Sequence, residues 1–325
     1  MPRYEVFGRG PVVAVPPSQF DLRQLLTIGS YKPDATTCGL LPDRPLTVFE
    51  GNLTAVDGQV IRDLEIRGRV TCTDVSNVTI DNCWVRGGTT APTTNRGLVH
   101  VTGTASNILV RDCLLEPQVP NQWWDGIRTH DFTALRCRIR KVTDAFGVFQ
   151  QPGTAAGTPT GVRILGCWVE TLTRFATSSE HADGTHNDAV EIQGGYGTVI
   201  RGTRLESYLD PGSGDAGGLN RQSPQRTTGN ACVQFANNVG PIADTIIEQN
   251  WLYGGEYGLN ASVGKFGGGT GNVVRDNQFD HGQTGAQVIG GNTTYTINLD
   301  SAAGITFSNN RYEDNQVAVQ IRRPT

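Results

Sequence analysis

Lysine is scarce in this chain. Three of its 27 basic residues are Lys (Lys32, Lys141 and Lys265), and Met1 is the one methionine. That bias reflects genome composition rather than chemistry. A formal charge of −4 and a pI near 5.8 leave no basic footprint, so nucleic acid is not an expected partner. No apolar run approaches the roughly 18 residues of a membrane helix, so no membrane partner is expected either. The amino terminus, Met1-Pro2-Arg3-Tyr4-Glu5-Val6-Phe7, lacks the charged start and apolar stretch of an export signal. The expectation is synthesis in the cytoplasm without export, which makes the sequons at Asn52, Asn77, Asn260 and Asn292 chance matches. Seven Cys is an odd number, with no CxxC pair and no zinc spacing, which excludes a disulfide framework and a zinc finger. Aromatics are 7% of the residues, thin for a compact globule, whereas 41 Gly suit a fold of many short strands and turns.

What the chain does have is a repeat. The phrase NVTIDNCWV (Asn77–Val85) recurs as NILVRDCLL (Asn107–Leu115), TIIEQNWL (Thr245–Leu252), NVVRDNQF (Asn272–Phe279) and ITFSNNRY (Ile305–Tyr312). Weaker copies begin at Val60, Phe132, Val162 and Thr198. Aligning the small position after the turn gives Leu64, Cys83, Cys113, Cys137, Cys167, Thr203, Asn250, Asn277 and Asn310, at intervals of 19, 30, 24, 30, 36, 47, 27 and 33 residues. Apolar residues alternate within each copy, as strands require and helices do not. Unequal intervals mean a shared strand–turn–strand unit carrying loops of different length. Parallel strands stacked about 4.8 Å apart satisfy both features. The fold expected is all-β: a single-stranded right-handed parallel β-helix over residues 46–325. Cys83, Cys113, Cys137 and Cys167 then form one inward column of free thiols, continued by Asn250, Asn277 and Asn310 as an amide ladder. Trp84, Trp168 and Trp251 each follow that column by one residue, as a regular surface feature. Residues 1–45, outside the register and rich in Pro, read as an irregular N-terminal arm with a cap around Phe20–Leu26.

A second alignment places Asn95, Asp125, Asp144, Asp188 and Asn230 at the start of one equivalent strand in successive rungs. It predicts three outward rows: Leu98, Arg128, Gly147, Glu191, Val233; then His100, His130, Phe149, Gln193, Phe235; and Arg96, Gly126, Ala145, Ala189, Ala231. Long loops border this face, and such loops on a rigid scaffold are where binding and catalysis gather. The densest polar stretch, Glu180 to Gly195, runs into it. Candidate catalytic groups are Glu191, Asp188, Asp183, His186, His130 and Arg128, because paired carboxylates or a carboxylate and a His can exchange protons with a sugar. The same Asp oxygens are also the ligand type of a divalent cation such as Ca²⁺, although no metal site is assigned and no cofactor is required. The plainer alternative is that His181, Asp183, His186 and Asp188 bond a turn. Candidate substrate-binding residues are Trp123, Trp124, His100, Gln193, Phe149 and His181. Adjacent Trp123 and Trp124 cannot both face inward on a strand, and an exposed indole is a platform for a sugar face. Otherwise both pack beneath a loop.

The repeats, with the phrase DGTHNDAVEIQGG (Asp183–Gly195), resemble the pectate-lyase-like right-handed β-helix proteins over roughly Val60 to Ile321. They are closest in look to β-helix proteins encoded by phages and actinobacterial genomes, several of them tail-associated or glycan-active. The paired Asp-Asp and Gly-His-Gly of polygalacturonases are absent here, and so is the lyase motif that binds Ca²⁺ and supplies an Arg base. The resemblance therefore implies the fold and a carbohydrate-polymer partner, without transferring catalytic residues. It implies a phage tail spike or fibre that binds, and in one version depolymerises, a bacterial surface polysaccharide outside the cell. The arm would dock on other tail proteins, and a homotrimer would be the assembly. The alternatives are a virion solenoid with no activity and a bacterial polysaccharide lyase or hydrolase.

Overall fold

The computed structural model describes residues 26–322, apart from 152, 156, 176, 180, 183, 211–228, 262–264, 267–268, 281–287, 290–291, 294–296, 301–302 and 320. Its strands fall into three long parallel sheets of ten, ten and nine strands, plus two short pairs. The first sheet runs from Thr47–Glu50 to Arg311–Tyr312, the second from Leu53–Thr54 to Ile321–Arg322, and the third from Val60–Arg62 to Ile305–Ser308. The chain visits first, second and third sheet in turn and returns to the first one rung higher. This is the right-handed parallel β-helix that the repeat predicts.

The register also matches the repeat. Trp84 pairs with Leu114, Leu114 with Arg138, Arg138 with Trp168, Trp168 with Arg204, Arg204 with Trp251, Trp251 with Gln278, and Gln278 with Arg311. Each of these follows the aligned small position by one residue. Glu65 pairs with Trp84, which brings Leu64 level with Cys83. A further strand, Thr47–Glu50, pairs below it and is one rung earlier than the repeat revealed. All seven Cys are free and buried. Along the column Cys83 N–H donates to Cys113 Sγ at 3.4 Å, and Cys167 N–H to Thr203 Oγ1 at 3.3 Å. Thr203, Asn250 and Asn277 then donate their N–H to the amide oxygen of Asn250, Asn277 and Asn310 at 2.8, 2.9 and 3.1 Å.

Why these residues turn a corner here is visible in the backbone. The residue just before the column has positive φ in all nine aligned rungs: Asp63, Asn82, Asp112, Arg136, Gly166, Gly202, Gln249, Asp276 and Asn309, between 51° and 60°. Most are Asp, Asn or Gly, which enter the left-handed region at least cost. Arg136 does not share that preference and is held by a bidentate pair with Asp112 at 2.7 and 2.8 Å. Inside, apolar residues, most of them β-branched, stack on one another, as in Ile80, Val110, Ala134, Ile164, Ile200 and Ile247 of the third sheet, all essentially unexposed. Each fully buried Ile or Val of this kind contributes roughly 1.5–3 kcal/mol.

The described part of the arm, residues 26–45, runs as a strap along the corner between third and first sheets. Lys32 pairs with Glu313 at 2.9 Å, Cys38 Sγ–H donates to Gly166 O at 3.0 Å, Gly39 N–H to Arg136 O at 2.9 Å and Leu41 N–H to Asn82 Oδ1 at 2.7 Å. Arg44 closes it on Asp63 and Asp81. The strap therefore crosses nearly every rung before the first strand starts. Most of the cap expected around Phe20–Leu26 lies outside the described residues, and Leu26 itself is exposed.

Candidate active site

The outward side chains of the second sheet make one continuous row: Thr71, His100, Arg128, Gly147, Glu191, Gln234, Asn260 and Asn298. The centre of the row, Arg128–Gly147–Glu191, is as expected from sequence. Its ends are not. His100, not Leu98, stands beside Arg128, because the corner before Arg96 is two residues longer than the Cys spacing implies. Gln234, not Val233, stands beside Glu191, because Ala231 rather than Asn230 is level with Asp188. A slip of one residue exchanges the two faces of a strand. Val233 and Phe235 accordingly point into the core.

The described residues Ser178, His181, Thr185 and His186, on the connection from first to second sheet before Asp188, border this row. Between them and the sheet lies an open groove of about 920 Å³, lined by Asp125, Arg128, Asp144, Asp188 and Glu191 among others. The three Asp come from the strand starts of three successive rungs, and Glu191 from the strand above Gly147. Asp188 is buried; its Oδ1 accepts from Asn230 Nδ2 at 2.9 Å and Ala231 N–H at 2.8 Å. Asp125 is buried too and binds Arg128. Glu191 faces the groove and accepts from Gln193 Nε2. Asp144 is half-buried and lines the same groove, its carboxyl bonded by the Asp188 N–H. Burial pushes that carboxyl well above the usual carboxylate range, and the charges of Glu191, Asp125 and Asp188 push it further. One bond opposes this, from Asp188 N–H to Asp144 Oδ1 at 2.8 Å.

Gly147 shapes the floor. A Cβ there would lie 3.0 Å from Phe149 Cε2 and 3.3 Å from Arg128 Cγ, so a larger residue would have to push those side chains aside by a few tenths of an ångström. The Arg128 guanidinium sits 4.3 Å from the centre of the Phe149 ring. His181 and His186 stack at the groove wall, with ring centres 4.1 Å apart. Among the described residues, no three His, Cys, Asp or Glu side chains converge as metal ligands do.

The structure thus brings together Glu191, Asp188, Arg128, His186, His181, Phe149 and Gln193, all nominated from sequence. Asp183 lies outside the described residues. His130 is a correction: it is buried, beyond the end of the strand, with Nδ1 2.9 Å from Asp131 Oδ2. The left-handed Asp131 turns the chain there towards the third sheet, so the outward row has already ended. Trp124 is a second correction. It is buried against Leu98 and Gly87 at the other corner of the rung, and offers no exposed indole. Trp123 is half-buried and does not line the groove, nor does His100. His100 accepts Gly97 N–H at its Nδ1 at 3.0 Å, and burial, with Arg128, Arg96 and Arg69 nearby, pulls its pKa down to about 4.

Asp125 and Asp144 were missing from the sequence-derived site. The signal was present: three Asp at one aligned position put like charges on neighbouring rungs, an arrangement folding alone disfavours.

Neither a known family model nor any curated protein matches the chain. Among solved structures, a trypsin-treated form of QnrB1, a plasmid-mediated fluoroquinolone resistance protein, is similar over 84% of this chain and 100% of its own, at 10% identity and a TM-score of 0.18. A likeness that low carries no argument about fold or function.

Proposed function

We propose that the second sheet binds a bacterial surface polysaccharide along the helix axis and hydrolyses it, with Asp144 as proton donor and Glu191 as the carboxylate that activates water. One observation carries this reading: Asp144 stands in the wall of an open groove beside Asp125, Asp188 and Glu191, where burial and those three charges push its carboxyl above the usual carboxylate range. Carboxyl groups pushed apart in acidity are what acid–base cleavage of a glycosidic bond requires. The Arg128 guanidinium is engaged by the Asp125 carboxylate, which opposes its use as the base of an elimination. That favours hydrolysis over elimination. The polymer is suggested by the row that runs from the groove at Gln234 and Asn260 on to Asn298, where Asn298 Nδ2 donates to Asn260 Oδ1 and Asn260 Nδ2 to Gln234 Oε1, both at 2.8 Å. Such a strip offers amides at each rung, about 4.8 Å apart, to successive hydroxyls.

A place on a phage tail, trimeric assembly and docking through the arm belong to the same proposal and rest on the resemblance of the repeat phrases alone. A non-catalytic, receptor-binding solenoid is the second reading. It is favoured by the structural partners of Asp125 and Asp188, which bind Arg128 and the Ala231 N–H. The test is incubation with surface polysaccharides of candidate hosts, following both new reducing ends and the absorbance of unsaturated products. New reducing ends without that absorbance, lost in Asp144→Asn, are expected. Unsaturated products, or turnover surviving in Asp144→Asn, would sink the assignment of Asp144. Binding without any product would leave the receptor reading standing.

A further inference from the structure

A second pocket lies at the corner between first and second sheets, nearer the amino-terminal end than the acidic groove. It has a volume of about 690 Å³ and is walled by the loop Gly88–Pro92, the strand ends at Glu50–Asn52 and Arg67–Arg69, and Arg86 and Trp124. Its charge is unbalanced. Arg67 binds Glu65 and Glu50 at 3.0 and 2.9 Å, and Arg86 binds the same Glu65 at 2.8 Å. Arg69 makes no ion pair among the described residues. Burial lowers its pKa, and Arg96 lowers it further, so the protein supplies this cation with repulsion and no counter-charge. Three donors around the pocket have no acceptor: Arg69 Nε, Arg86 Nε and the indole Nε1 of Trp124, a residue only 3% exposed. A buried donor left unpaired is costly, because it has given up water for no partner. Three such groups around one cavity are the features of a site whose partner is not part of the chain.

We infer that this pocket binds an oxyanion: a carboxylate, sulfate or phosphate substituent carried by the sugar chain that lies in the acidic groove. The anion part stands on the pocket itself; its attachment to a polymer rests on the function proposed above. Strand 70–73 lies three rungs below the Asp144 rung, about 14 Å at the rung spacing. A single extended chain along the second sheet therefore reaches both places. The acidic groove repels the same substituent, so the two sites together set where along the polymer a charged unit can sit. Guanidinium groups are suited to this because their paired N–H match the two oxygens of an oxyanion.

The test is calorimetric titration of the whole chain with sodium sulfate against sodium chloride of equal ionic strength. Saturable sulfate binding is expected, weakened by about tenfold in Arg69→Gln. Thr90→Glu, an exposed loop position, places a competing carboxylate at the rim without touching the core, and it should weaken binding similarly. Absence of saturable binding in the wild type, or wild-type affinity retained in both variants, overturns the site. Asp144→Asn should leave sulfate affinity unchanged, so failure of the hydrolytic reading is seen separately. A second arm compares sulfated and desulfated forms of one oligosaccharide. A preference for the sulfated form that disappears in Arg69→Gln supports the polymer assignment. No preference in the wild type overturns it and leaves a site for a free anion.

Discussion

Asp188 donates its backbone N–H to the carboxyl of Asp144 one rung below, at 2.8 Å, while its own carboxyl holds Asn230 and Ala231 one rung above. The stack therefore sets two acids on adjacent rungs. Elsewhere the helix alternates charge along its ladders: Glu248 accepts from both Arg201 and Arg275, and Asp81 from Arg62 and Arg111. Those ladders set opposite charges side by side, whereas the groove stacks Asp125, Asp144 and Asp188 on neighbouring rungs.

Asp144→Asn should abolish turnover and raise stability at neutral pH. The carboxyl's native pKa lies above its unfolded value, so the native state binds the extra proton. Its stabilising contribution is complete below about pH 4 and is lost as pH rises through the native pKa. Asn cannot ionise and retains an oxygen for the Asp188 N–H. Urea unfolding at several pH values should show wild-type stability falling with rising pH across that window, with the fall reduced in the variant. An unchanged slope would mean that Asp144 ionises normally.

Glu191→Gln and Asp188→Ala should separate cleanly. Glu191 is in the outward row, so its loss should remove activity and leave the melting temperature nearly unchanged. Asp188 is buried on backbone and amide donors, and its truncation should cost about 1–3 kcal/mol. Equal destabilisation by both variants in thermal melts would contradict this division.

His100 should titrate near pH 4 by NMR of its ring carbons, as the neutral tautomer with the proton on Nε2, since Nδ1 accepts Gly97 N–H. Its native pKa lies below the unfolded value of about 6.5. The stability it contributes is therefore present above that pH and is lost as pH falls towards 4. A midpoint near 6.5 would show that Arg69, Arg96 and Arg128 do not press on it.

The amide ladder should matter more than the thiol column. Asn277→Leu would remove the acceptor of the Asn250 N–H and Asn250 Nδ2 and the side-chain donor to Ile247 O, leaving Asn310 Oδ1 with the backbone N–H of residue 277. A loss of about 2–4 kcal/mol is expected. Cys113→Ala removes one sulfur from a packed column, with an expected loss nearer 1 kcal/mol. The two urea midpoints give the comparison directly, and the reverse order would overturn it.

The nine aligned positions from Leu64 to Asn310 were legible in the sequence because a solenoid writes its contacts locally. Each rung repeats the same inward residues, so apolar alternation and a left-handed Asp, Asn or Gly before each small residue are enough to fix the register of one corner. The second sheet was less legible. Its register depends on how many residues each corner loop absorbs, and two extra residues before Arg96 and one before Ala231 moved His100 and Gln234 into the outward row. Burial of His130 followed from a corner too, since its direction is not set by strand parity once the strand has ended at Thr129, whereas Trp124, the first residue of the same strand, is covered at the Gly87 corner. The acidity of Asp144 was decided by the tertiary structure alone: it arises from enclosure and from the charges of residues 19 to 47 positions away, brought one or two rungs apart by the coil.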